Sequence, residues 1–174
     1  QILGETWVSH YGTNHKQSSR LLLQSAEADH PILRGVKDVW VQSGGYTADP
    51  IAGSHVLALG QILNGMTPDS PPAPDKKTLP VAWYRTYQSP SGKSGRVFTT
   101  THGASEDLLN DGFRRMSVNA LLWAAGLESA ITPSNEVGFV GPFQPTTYAF
   151  DGYVKNIKPT DMAGWDSPIP AKPR

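Results

Sequence analysis

The sequence predicts an α/β domain, and three observations carry that prediction. Short aliphatic-rich runs, bounded by glycine, proline or aspartate, recur from Ser19 to Thr101 and read as strands. One later stretch, from Leu109 to Trp123, has the spacing of an amphipathic helix. No internal repeat interrupts this order. A single helix cannot cover both faces of a mainly parallel sheet, so the 174 residues read as incomplete at the N-terminus. Gln1 in place of Met, followed by Ile2-Leu3-Gly4, agrees with that reading. The expected consequence is exposed apolar surface that seeks a further copy of the chain or the absent preceding segment.

Ser19 to Ser25 (Ser-Arg-Leu-Leu-Leu-Gln-Ser) is the first strand. Asp29-His30-Pro31 ends it, because the residue before a proline is pushed towards extended geometry and out of regular helix. Val36 to Val41 is a second strand, closed by the turn signal Gly44-Gly45. His55 to Leu63 carries Val56, Leu57, Leu59, Ile62 and Leu63, the pattern of a buried strand. Gly65 to Thr78 contains Pro68, Pro71, Pro72 and Pro74; with so many donors removed it is an exposed loop. Leu79 to Tyr87 and Arg96 to Thr101 flank the turn-rich stretch 89–95, which predicts an antiparallel hairpin with Trp83 in the core.

Leu109, Phe113, Met116, Ala120 and Trp123 then mark one helix face, with Asn110, Asp111, Arg114, Arg115 and Asn119 turned to water. Ser105 is the expected cap, and Glu106 and Asp107 are acids at the positive end of the helix. Gly126 is the left-handed stop. Glycine inside a helix costs about 1 kcal/mol relative to alanine, so Gly112 is expected to split off the first turn as a separate piece. A Pro-rich stretch from Ser167 to Arg174 is expected to lie along the surface or to be disordered.

The composition narrows the partners. Fifteen basic residues balance fifteen acidic ones, and neither sign is concentrated in one segment. That excludes a phosphate-binding stripe for nucleic acid and a polybasic face for anionic lipid. The longest apolar stretch, Ala120 to Gly126, is far short of a membrane span. There is no cysteine, so no disulfide, thiolate metal site or thiol nucleophile can arise within these residues. A small molecule or another protein is the expected partner; no cofactor is named.

Three blocks carry a family resemblance. The first is His30-Pro31-Ile32-Leu33-Arg34-Gly35-Val36 followed by Asp38-Val39-Trp40. The second is Pro80-Val81-Ala82-Trp83, then Gly95-Arg96-Val97-Phe98-Thr99-Thr100-Thr101, then Gly103-Ala104-Ser105 leading to Phe113-Arg114-Arg115 and Asn119-Ala120-Leu121-Leu122-Trp123-Ala124. The third is Phe143-Gln144-Pro145-Thr146 with Gly152-Tyr153 and Lys158-Pro159. In this order they resemble the ThuA-like (trehalose utilisation) proteins, especially the form found in planctomycete-like bacterial genomes. The resemblance runs from Leu3 to about Asp161, giving one domain over 1–161 and a Pro-rich tail over 162–174.

What the resemblance implies is a flavodoxin-like sheet with flanking helices, related to class I glutamine amidotransferases but without their thiol. The nucleophile elbow of that group would precede Gln1. It further implies a link with the use of trehalose or oxidised disaccharides, in a bacterium, with the periplasm favoured over the cytoplasm. The chain also departs from the family pattern. Ser43-Gly44-Gly45-Tyr46 keeps a tyrosine and lacks the acid that often precedes it. Ala104 stands where many members have histidine, and His102 lies two residues earlier.

The candidate site residues follow from these loops. His10 and His15, five apart in Ser-His-Tyr-Gly-Thr-Asn-His, can meet on a sugar hydroxyl or a metal; the spacing matches no zinc signature, and the non-metal role is favoured. His102 and Glu106 occupy a strand-to-helix junction, the place where open α/β sheets bind ligands. Glu106 also reads as a simple first-turn acid. Trp7 and Tyr11 are the candidate pocket walls, and Tyr46 closes a glycine turn. His30 either joins that pocket or braces its His-Pro turn, the second being favoured. The sequence therefore predicts one pocket gathering His10, His15, His30 and Tyr46, with His102 and Glu106 at its margin. It predicts a protein that binds or acts on a small sugar derivative, with His10, His15, His102 and Glu106 as the candidate catalytic residues and Trp7, Tyr11, His30 and Tyr46 as the substrate-binding ones, the alternative being a non-catalytic binding or scaffold module.

Overall fold

Strands form where the aliphatic runs meet turn residues. The computed structural model describes residues 2–147 together with 155, 156 and 158. In it β1 (Ser19–Leu23), β2 (Trp40–Val41), β3 (His55–Ile62), β4 (Leu79–Gln88) and β5 (Ser94–Thr100) make one sheet in the order β2-β1-β3-β4-β5. A single α-helix, α1 (Asp111–Ala124), packs on it, so the α/β expectation holds. All four strand pairings are antiparallel, and the parallel strands of a flavodoxin-like arrangement are not seen among the described residues. For β4 and β5 the reason is plain: residues 89–93 join them directly, and parallel neighbours need a crossover of about a dozen residues or more.

The hairpin is the one expected, with Trp83 opposite Thr99 and Gln88 opposite Ser94. The second strand is shorter than expected. Asp38 takes a φ of 52°, a left-handed conformation that breaks an extended run, so pairing is confined to Trp40 and Val41 while Val36 and Val39 stay buried. The Pro-rich segment 65–78 is irregular, touching the sheet through a bridge between Leu63 and Pro72.

Four of the five stripe residues, Phe113, Met116, Ala120 and Trp123, are buried in a core with Leu21, Val41, Leu57 and Val81. Leu109 is half exposed and belongs to a separate 3-10 turn, Ser105–Leu109. The split falls where Gly112 suggested it. The cap of α1 is Asn110 and not Ser105: its side chain accepts from the Phe113 amide at 2.9 Å. At the other end Gly126 (φ 76°) donates to the Trp123 carbonyl, and the Leu127 amide donates to the Leu122 carbonyl, a Schellman ending.

Asn119 does not face water. It is fully buried, and its amide donates to the carbonyls of Ile32 and Arg34 at 3.1 and 3.0 Å, which locks α1 to the turn Pro31–Leu33. Arg114 and Arg115 are also largely covered, donating to the carbonyls of Val137 and Asn135. Their long apolar stems explain why charged residues can line a helix flank under a loop. Among the described residues no helix is long and apolar enough to cross a membrane. Gly152-Tyr153, Pro159, the boundary after residue 161 and the Pro-rich tail lie outside the described residues.

Candidate functional site

The sheet order sets β2 and β5 at opposite edges, yet the segments that leave them meet. Ser43, just after β2, bonds to His102, just after β5. The sheet must therefore curl, and the seam between its converging edges is where the polar groups gather.

Asp107 organises the seam. It is 1% exposed, and its carboxylate accepts four hydrogen bonds. The Ser43 amide donates to Oδ1 at 3.1 Å. The Ser43 hydroxyl, at 2.6 Å, and the amides of Gly103 and Ala104, each at 3.0 Å, donate to Oδ2. A buried carboxylate is tolerable only with such a set of donors. His102 completes the chain with Nδ1 2.8 Å from Ser43 Oγ. A hydroxyl carries one proton, and that of Ser43 is given to Asp107. His102 Nδ1 is therefore the protonated ring nitrogen, and Nε2 keeps its lone pair. This Nε2 is buried and has no hydrogen-bond partner.

Burial pushes the His102 imidazole down to about 4, with the Asp107 charge opposing the shift. The ring is thus neutral at physiological pH. A base this weak is a poor match for proton abstraction near neutrality, and a good match for accepting a hydrogen bond.

A second ladder brings the other loop alongside. The amides of Tyr11 and Gly12 donate to the carbonyls of Gly45 and Gly44 at 3.1 and 3.0 Å, and Thr47 donates to Ser9. His10 and Tyr46 pair across it. Gly12 and Gly44 are back to back: a Cβ on Gly12 would stand 2.7 Å from the Gly44 Cα, so neither position admits a side chain without separating the strands. Above this ladder the rings of Trp7, His10 and Tyr46 meet edge to face, with centroids 5.3 to 6.4 Å apart. Trp7 is 61% exposed. Beside them opens a cavity of about 850 Å³ lined by His10, Asn14, His15, Ser43, Tyr46, Thr100, Thr101, His102 and the glycines 44, 45 and 103.

A family model described as ThuA, trehalose utilisation, matches residues 1–124. That span holds every strand, α1 and the whole cavity lining. The chain belongs to the ThuA family. No curated protein and no solved structure matches it.

In this ThuA chain His10, His15, Tyr46 and His102 share one cavity wall. Trp7 is not part of the lining but packs on His10 and Tyr46 beside it. Three other candidates lie elsewhere. The Tyr11 hydroxyl donates to the Lys77 carbonyl, with the Lys76 ammonium over its ring. His30 accepts from the Ile32 amide through Nδ1 at the start of the turn Pro31–Leu33. Its ring stacks on Tyr84 at 4.0 Å and abuts Trp123. Burial lowers the His30 pKa, in keeping with a neutral bracing ring. Glu106 accepts from the Thr147 hydroxyl at 2.7 Å and is not among the lining residues.

Ser43 and Asp107 hold the candidate site together and were missed by the sequence reading. Asp107 sits in a helix-start context where an acid needs no further explanation, and its partner lies 64 residues earlier. Among the described residues no group of three or more histidine or acidic side chains is arranged to hold a metal.

Proposed function

We propose that this ThuA-family chain binds a small, neutral sugar derivative in the cavity between the His10–Tyr46 ladder and the His102 junction. The observation that carries the reading is His102. A buried imidazole is held in one tautomer by Ser43 and Asp107, its Nε2 has no partner, and the residue lines the cavity. An unpaired buried acceptor costs about 1–3 kcal/mol, a cost offset when a ligand supplies the donor. The exposed aromatic edge of Trp7 and Tyr46 supplies flat apolar faces of the kind that pack against the C–H faces of a sugar ring.

The geometry favours binding over thiol-type chemistry. With no cysteine in the chain, glutamine hydrolysis through a thiol cannot be performed by these residues. The family description makes trehalose the natural first probe, with glucose and 3-keto sugars beside it.

Calorimetric titration tests the reading. His102→Asn keeps a donor near Ser43 Oγ and removes the Nε2 acceptor, so it is expected to weaken binding of the responsive sugar about tenfold or more. Trp7→Ala weakens it by a smaller factor. Absence of binding across the panel, or affinity unchanged by His102→Asn, contradicts the proposal.

A further inference from the structure

Two cavity-wall groups, not one, lack a hydrogen-bond partner. Besides His102 Nε2, the hydroxyl of Thr101 is buried and unpartnered. The two are neighbours in space. The position a Cβ would take on Gly45 lies 3.4 Å from Thr101 Oγ1, 3.5 Å from His102 Nε2 and 3.1 Å from His102 Cε1. The Gly45 backbone therefore lies directly over both atoms. Gly45 has a φ of 67°, a conformation that glycine adopts without steric cost and most other residues do not.

We propose that Thr101 Oγ1 and His102 Nε2, beside the Gly44–Gly45 turn, form a two-atom subsite that receives one alcohol hydroxyl of the ligand. This rests on the sugar-binding reading above and names the group that is recognised. The chemistry selects a hydroxyl. Nε2 only accepts, so the ligand atom must carry a proton; the Thr101 proton needs an acceptor, so the same atom must offer a lone pair. A carboxylate has no proton to give and meets the Asp107 charge behind the ring. An ammonium offers donors to both atoms and no acceptor for the Thr101 proton. An alcohol satisfies both bonds at once. Two buried orphans side by side, each costly alone, are both satisfied by one group that donates and accepts.

The experiment follows the His102 ring nitrogens of the ¹⁵N-labelled full chain by NMR during titration with trehalose, ethylene glycol, acetate and methylammonium. The expected result is that the two hydroxyl probes move the Nε2 resonance while the two ions do not. Thr101→Val, which keeps the shape and removes the hydroxyl, is expected to raise the half-saturating concentration of ethylene glycol about tenfold, and Thr101→Ser to restore it. Gly45→Ala, whose methyl would crowd His102 Cε1 and cover both atoms, is expected to abolish the response while the Asp107-bonded amides of Gly103 and Ala104 keep their shifts. If calorimetric titration shows hydroxyl probes binding with undiminished strength in Thr101→Val but not in His102→Asn, the subsite is overturned and the sugar-binding reading stands. If the ions move the resonance and the alcohols do not, or if no probe moves it, both fall.

Discussion

At the residue scale the account rests on the order Asp107, Ser43, His102. His102 was visible in the sequence as a lone polar residue at a strand-to-helix junction. Asp107 was visible only as one of two adjacent acids, and no local rule distinguishes the one that turns inward. The structure separates them: Asp107 is buried with four donors, whereas Glu106 bonds Thr147 on the outside. Asp107→Asn replaces one acceptor oxygen by a donor amide facing amides and a hydroxyl. It is expected to destabilise the fold by about 3 kcal/mol, the scale of a broken buried charged network, lowering Tm by about 6–12 °C in a thermal melt.

His102 adds a pH dependence of known sign. Its pKa is lowered from 6.5 to about 4 in the folded chain, so between those values the unfolded state binds the proton and the folded state does not. Stability is fully present above 6.5 and falls as pH drops towards 4, by on the order of 3 kcal/mol from this residue. His30, also lowered by burial, acts in the same direction. Urea midpoints measured across this window should decline towards acid, and His102→Asn should flatten the decline without removing it. A slope unchanged by that substitution would contradict the burial of the ring.

At the scale of elements, periodicity told most of the story. The hairpin, the Pro-rich loop, the buried third strand and the helix all lie where alternation, turn residues or the 3.6-residue stripe put them. Outside that hairpin strand direction was not legible, because an apolar run reads the same in parallel and antiparallel neighbours. Nor was the burial of Asn119, whose place on the polar side of the stripe hides two bonds to carbonyls some 85 residues away. Gly112 shows the limit of propensity arguments. Alanine is favoured over glycine inside a helix by about 1 kcal/mol, but a Cβ at Gly112 would collide with the Lys37 carbonyl oxygen and crowd Val39 at 3.0 Å. Gly112→Ala is therefore expected to destabilise the chain in denaturant titration, by about 1–3 kcal/mol as an overpacked contact. A gain in stability would show that α1 can lift from the 37–39 segment.

At the scale of the whole molecule, the candidate site depends on a sheet that brings its two edges together. The sequence reading reached a shared pocket by assuming that loops at strand ends share one rim, a property of parallel α/β sheets. Here the convergence of His10, Tyr46 and His102 has another cause: the curl that lets Ser43 bond to His102, and the glycine ladder that zips residues 9–12 to 44–47. His30 stays outside because it stands at the turn Pro31–Leu33, stacked on Tyr84 and against Trp123. The central claim is that this arrangement presents a bare, neutral imidazole nitrogen to the cavity. Long-range ¹H–¹⁵N correlation of the His102 ring at neutral pH reads that state directly. The account predicts a protonated Nδ1 and an unprotonated Nε2, persisting as the sample is acidified to about the pKa near 4. A proton on Nε2, or a ring already doubly protonated at neutral pH, would contradict it.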